Sequence, residues 1–74
     1  MSETSNKTTI TYEDGTIYEG EILDGIPEGL GKITHPDGST YIGEFKDGRY
    51  HGFGTLTIDG IETNGLFKDG EYIE

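Results

Sequence analysis

Residues 41–54 read YIGEFKDGRYHGFG. The first half alternates. Tyr41, Gly43 and Phe45 fall on one face of an extended chain, and Ile42, Glu44 and Lys46 fall on the other. Asp47-Gly48 follows, a dipeptide that favours a tight hairpin because a type I′ turn needs positive φ at both central residues. The chain then returns through Gly52 and Gly54, with Gly54 sharing a face with Leu56 and Ile58. A period of two, a turn, and a period of two again is the signature of strand, turn and strand.

Working outward, FKDG at 45–48 recurs at 67–70, 22 residues on. Asp-Gly occurs six times, beginning at Asp14, Asp24, Asp37, Asp47, Asp59 and Asp69, with gaps of 10, 13, 10, 12 and 10. The alternation defines a unit of 22–23 residues holding two turns, and repeats of this length mean stacked copies of one small motif. Tyr18, Gly20 and Gly25 match Tyr41, Gly43 and Gly48, and Gly29 and Gly31 match Gly52 and Gly54. Thr63, Gly65 and Gly70 carry the register on, with Thr where the other copies have Tyr. The expected fold is all-β, an elongated antiparallel meander of stacked hairpins in a single sheet. Residues 1–8 read as a flexible polar tail and 9–74 as the repeat domain, divided into a half unit 10–15, repeats 18–40 and 41–62, and a partial repeat 63–74.

Glycine inside a strand weakens it unless something fills the missing side-chain volume, and an aromatic ring laid across the gap does so. Tyr18, Tyr41, Phe45 and Phe67 are therefore expected over glycines of adjacent strands, in a core that is a strip with little depth. On this reading Gly43→Val unfolds the protein by collision with a cross-strand aromatic.

The pattern Tyr-x-Gly-x-hydrophobic-x-x-Gly-x-x-x-Gly-x-Gly, present as YEGEILDGIPEGLG and YIGEFKDGRYHGFG, resembles the MORN repeat. The second copy includes the His51-Gly52 pair. The first has Glu28 in the His position, and the third keeps only NGLFKDG. The resemblance spans about residues 10–72. It implies hairpins in an elongated sheet with a scaffolding, dimerisation or partner-binding role, and for some members acidic phospholipid binding. It supplies no activity of its own, because catalytic domains of MORN proteins normally lie elsewhere in the chain.

Composition limits the functions further. At 74 residues the chain is one small domain, without Cys and hence without disulfides or thiolate metal sites. No stretch approaches the ~20 apolar residues of a membrane span, and no export signal is evident, so a cytoplasmic location is expected. His35, in the turn THPDG, and His51, at a repeat position, are the acid-base candidates. Neither stands in a nucleophile elbow, a Walker loop or a His-Glu-x-x-His motif. The glycines recur with the sheet and open no helix, so they are no phosphate cradle. EDGTIYEGE and PDGSTYIGE do not supply the alternating ligands of a calcium loop. The expectation is a non-enzyme with no cofactor and no metal.

Charge is the most informative bulk property. Fifteen acidic residues face five basic ones, for a net charge of -10. In a meander Asp14, Asp37 and Asp59 line one rim and Asp24, Asp47 and Asp69 the other. Phosphate and anionic membrane contacts need clustered Lys and Arg, which this chain lacks, so direct nucleic-acid binding is not expected and membrane binding is disfavoured. Two readings remain. One is a protein-interaction or assembly module, with a partner of basic character or self-association through open sheet edges. The other is an acidic inhibitor or nucleic-acid mimic that blocks a basic groove. Candidate partner-binding residues are Tyr18, Tyr41, Tyr50, His51, Phe53, Tyr72, Asp24, Asp47 and Asp69.

Overall fold

The computed structural model describes residues 7–74. The tail expected over 1–8 falls largely outside the described residues, and its last two positions, Lys7 and Thr8, open the first strand. Seven strands follow in chain order: β1 Lys7–Thr11, β2 Ile17–Leu23, β3 Ile26–Thr34, β4 Thr40–Lys46, β5 Arg49–Ile58, β6 Ile61–Lys68 and β7 Glu71–Tyr72. They form one antiparallel sheet in the order β1 to β7. The all-β meander is thus the fold, measuring 34 × 26 × 22 Å.

The Asp-Gly turns are of two kinds. Asp24, Asp47, Asp59 and Asp69 have φ of 52–53° and are followed by glycines at positive φ, as type I′ turns require. Asp14 and Asp37 differ: only Gly15 and Gly38 are at positive φ. Here Gly15 N–H donates to Tyr12 O at 3.0 Å and Gly38 N–H to His35 O at 2.9 Å, the pattern of a three-residue loop ending in a left-handed glycine. Asp14 Oδ1 accepts Thr16 N–H at 2.8 Å, and Asp37 Oδ1 accepts Ser39 N–H at 2.9 Å and Ser39 Oγ–H at 2.7 Å. These Asx bonds let a residue of ordinary φ close the loop.

The glycines form a ladder. Gly20 pairs with Gly31, Gly31 with Gly43, Gly43 with Gly54, and Gly54 with Gly65. The tyrosine rings lie over it. A Cβ at Gly31 would meet the Tyr18 ring and one at Gly54 the Tyr41 ring. The expectation for Phe45 and Phe67 is corrected, because the atoms nearest a Cβ at the ladder glycines belong to tyrosines and backbone and not to either ring. They fill the space between tyrosines edge-on. Phe45 stands 5.1 Å from both Tyr18 and Tyr41, and Phe67 stands 5.1 Å from Tyr41, the geometry that aromatic quadrupoles favour. Tyr18, Tyr41, Phe45 and Phe67 are the buried core, flanked by Ile10, Ile22, Ile33, Tyr50 and Leu56.

Two bulges explain how a tyrosine reaches so far. The register slips between Gly20 and Ile22 and between Gly43 and Phe45. The extra residues lie on β3 and β5, where residues 28–30 and 51–53 stand opposite the single residues Glu21 and Glu44. The backbone carbonyls of Glu21 and Glu44 accept the hydroxyls of Tyr18 and Tyr41, the latter at 2.8 Å, so the ring bridging the glycines also satisfies a group the bulge takes out of the ladder. A Cβ at Gly43 would meet the backbone of Gly54 and Phe53, and the hydroxyl of Tyr41 from its own strand. The damage expected of Gly43→Val therefore comes from strand-to-strand backbone crowding and not from a cross-strand ring. Successive units are also tied at the second rim, where Gly48 N–H donates to Pro27 O at 3.0 Å and Gly70 N–H to Tyr50 O at 3.1 Å. In the third unit, where Thr63 replaces the tyrosine, Tyr72 lies over Gly65 instead and meets Phe67 edge-on at 5.6 Å.

Candidate functional site

A single sheet has two faces, and here only one is used for the core. Alternation sends Glu19, Lys32, Ile42, Thr55 and Asn64, which are in register across β2 to β6, to the opposite face. Beside that row lie Leu30, in register with Glu44, and Phe53, in register with Leu66. Leu30, Ile42 and Phe53 are 61%, 53% and 67% exposed. Leu30, Ile42, Lys32, Glu19 and the glycines Gly20, Gly31 and Gly43 line a shallow groove, since glycine leaves the backbone bare there.

The residues singled out from sequence scatter over this architecture. Tyr18 and Tyr41 are 0% exposed; their assignment to partner contact is corrected, because their rings are the packing that holds the glycine ladder. Tyr50 is also drawn in. Its ring stacks on Tyr41 with centroids 4.0 Å apart and planes 9° apart, and its hydroxyl lies 2.8 Å from His35 Nε2. His51 is half-buried beside Lys46, Arg49 and Asp69 at the second rim. Asp24, Asp47 and Asp69 cap the three type I′ turns of that rim and are exposed. Of the aromatics named, Phe53 and Tyr72 present open surface, Tyr72 at 52%. Phe53 alone joins the apolar strip with Leu30 and Ile42. Sequence reasoning assigned Ile42 to the face opposite Tyr41 without drawing a surface from it. It missed Leu30 because two glycines flank it and it lies in the bulged stretch of β3 opposite Glu21.

Electrostatics adds an acidic border to the strip. Leu30 N–H donates to Glu21 Oε1 at 2.9 Å. A Cβ on Gly52 would run into the Glu44 carboxylate, which locates that group beside Phe53. Glu28, in the position that His51 holds in the next unit, accepts the Asp47 N–H at 3.1 Å. The turn carboxyls of Asp14 and Asp37 are held below the usual aspartate range, first by the backbone N–H bonds from Thr16 and Ser39. Among the described residues no group of three or more His, Asp or Glu side chains is placed to hold a metal ion.

A family model of the MORN repeat matches residues 18–40 and 41–59. Comparison with curated proteins gives no match. MORN repeats are non-enzymatic modules of protein or membrane interaction. The two adjacent matches cover more than half of the sequence and coincide with the tyrosine-over-glycine units of the sheet, and the chain belongs to the MORN repeat family.

Proposed function

We propose that this chain is an acidic, non-catalytic protein-interaction module that holds a partner on the face of its sheet opposite the aromatic core. The observation that carries this reading is the exposure of Leu30, Ile42 and Phe53 together on that face. Clustered large apolar side chains that a fold does not need for its own core commonly mark an interaction surface. The net charge of -10 favours a partner of basic character by long-range steering. Self-association is a second route, since β1 has an unpaired outer edge among the described residues and such edges accept a further strand.

The acidic-inhibitor reading is weaker on geometry. Rim turns repeat every other strand, one Asp per ~10 Å, against one phosphate charge per ~1.7 Å of duplex. Asp14 and Asp37 also commit a carboxylate oxygen to their own turns.

The test is affinity capture on the immobilised chain from source-cell lysate, with elution in a salt gradient and in competing duplex DNA. One stoichiometric protein retained against DNA is the expected result. Release by DNA alone would replace this reading with mimicry of a nucleic acid. Absence of any stoichiometric partner, with a monomer by light scattering, would overturn it.

A further inference from the structure

Across the strands from β2 to β5 the exposed strip beside the glycine ladder runs Glu21, Leu30, Glu44, Phe53, with the half-buried Leu66 of β6 beyond it. The order follows from the cross-strand register of Leu30 with Glu44 and Phe53 with Leu66. The Leu30–Glu21 hydrogen bond and the Glu44 carboxylate over Gly52 extend it. Carboxylate and apolar groups thus alternate at the strand spacing of ~4.8 Å, placing Leu30 and Phe53 about 10 Å apart with Glu44 midway. An α-helix rises 1.5 Å per residue, so side chains seven apart on one face stand ~10.5 Å apart, and those three or four apart ~5 Å. An extended partner laid across the strands presents same-face side chains every ~6.7 Å, out of step with both intervals.

We propose that this strip docks a basic amphipathic helix of a partner protein, lying across the strands. Apolar side chains seven residues apart rest on Leu30 and Phe53, and a Lys or Arg between them meets the Glu44 carboxylate. Ile42, 53% exposed in the neighbouring row, widens the apolar footing. Glu19 and Glu21 extend the negative border toward β1, where a second basic residue falls. Lys32, on the same face, stands in register with Glu19, so one carboxylate offsets it. The helix-in-groove mode reads apolar anchors at such intervals, and the paired carboxylates select positive over negative flanks. This inference rests on the interaction-module reading and adds to it the surface and the chemistry of the partner.

The probe is a synthetic alanine-based helix of about 18 residues with leucines seven apart and lysines three and four positions after the first leucine. Two controls accompany it, a scrambled peptide of equal composition and one with the lysines replaced by glutamates. Binding is measured by fluorescence anisotropy at low salt. Saturable one-to-one binding is expected, weaker by roughly tenfold for either control. Leu30→Ser and Phe53→Ser each weaken it by roughly fivefold, and Glu44→Gln by about threefold with a flatter salt dependence. Circular dichroism and melting of each variant verify that the sheet is intact, as expected for exposed positions. Equal binding of the scrambled peptide, no binding of the designed one, or unchanged affinity in the two serine variants overturns the proposal. A natural partner still captured by the Leu30→Ser/Phe53→Ser double variant overturns this surface and leaves the module reading standing. Failure of the parent chain to capture any partner, together with a monomer by light scattering, overturns the module reading itself.

Discussion

Gly31→Ala drives a methyl group into the ring of Tyr18. An ideal Cβ at Gly31 lies 2.6 Å from both Cε1 and Cζ of that ring, where two carbons prefer roughly 3.5–4.0 Å. Gly31 does not sit at positive φ, so the cost is steric and owes nothing to backbone strain. The ring has to move by about 1 Å. It is fully buried, edge-on to Phe45 at 5.1 Å, and its hydroxyl donates to the Glu21 carbonyl. Overpacking of this kind costs about 1–3 kcal/mol, and loosening the hydroxyl from its acceptor adds about 1 kcal/mol. A loss of about 2–4 kcal/mol is large beside the roughly 4–11 kcal/mol expected for a chain of this length. It lowers Tm by roughly 10–25 °C. Urea unfolding followed by far-UV circular dichroism and by tyrosine fluorescence measures it, the chain having no Trp. The decisive comparison repeats the substitution in a Tyr18→Leu background, with an excluded osmolyte present to keep that variant folded. If the ring is the obstacle, the two changes couple by at least about 1 kcal/mol. A cost below about 0.5 kcal/mol, or strict additivity with Tyr18→Leu, would refute the reasoning.

Other consequences follow from the same geometry. Tyr41→Phe strips the donor from the Glu44 carbonyl, bonded at 2.8 Å, and is expected to cost about 1–2 kcal/mol in urea unfolding; an unchanged midpoint would show that the bulge carbonyl finds water. Asp47→Asn should leave stability within about 0.5 kcal/mol, because Asn tolerates the left-handed region occupied there at φ 53°. Asp47→Val should cost about 1–2 kcal/mol or more, since a β-branched side chain resists that backbone; equal melting temperatures for the two would contradict the turn assignment. Burial, then the negative charge of Glu21 and Tyr12, pushes the Tyr18 hydroxyl up to about 12, and burial raises Tyr41 and Tyr50 as well. Unfolded tyrosines ionise near 10, so these groups bind more protons in the folded state above that pH. Stability is therefore full below pH 10 and falls as pH rises toward 12. Tyrosinate absorbance should rise together with loss of the β signal, whereas free titration near pH 10 with an intact sheet would mean the rings are not sealed.

The sequence by itself determined the meander, the repeat length and the phase of the glycines. Each of these is local, resting on a period of two and on a dipeptide that closes a hairpin. Tyr41 and Gly43 are two residues apart, so their shared face is written in one strand. It could not show which ring covers which glycine, because the answer depends on the bulges of β3 and β5 opposite Glu21 and Glu44, and a bulge changes the register between strands without marking either one. Tyrosine reaches across the ladder because its hydroxyl has a bulge carbonyl to bond; phenylalanine has none, and Phe45 and Phe67 stand edge-on between the tyrosines. The six Asp-Gly pairs look alike in sequence, yet Asp14 and Asp37 take another turn, since the loop there has three residues and the Asx bond closes it. The substitution of Tyr72 for the missing third tyrosine likewise joins β7 to Gly65 on β6. The candidate surface is the least local feature of all. Leu30, Glu44 and Phe53 sit on three strands and meet only because cross-strand pairing sets them side by side on the face that the core leaves bare.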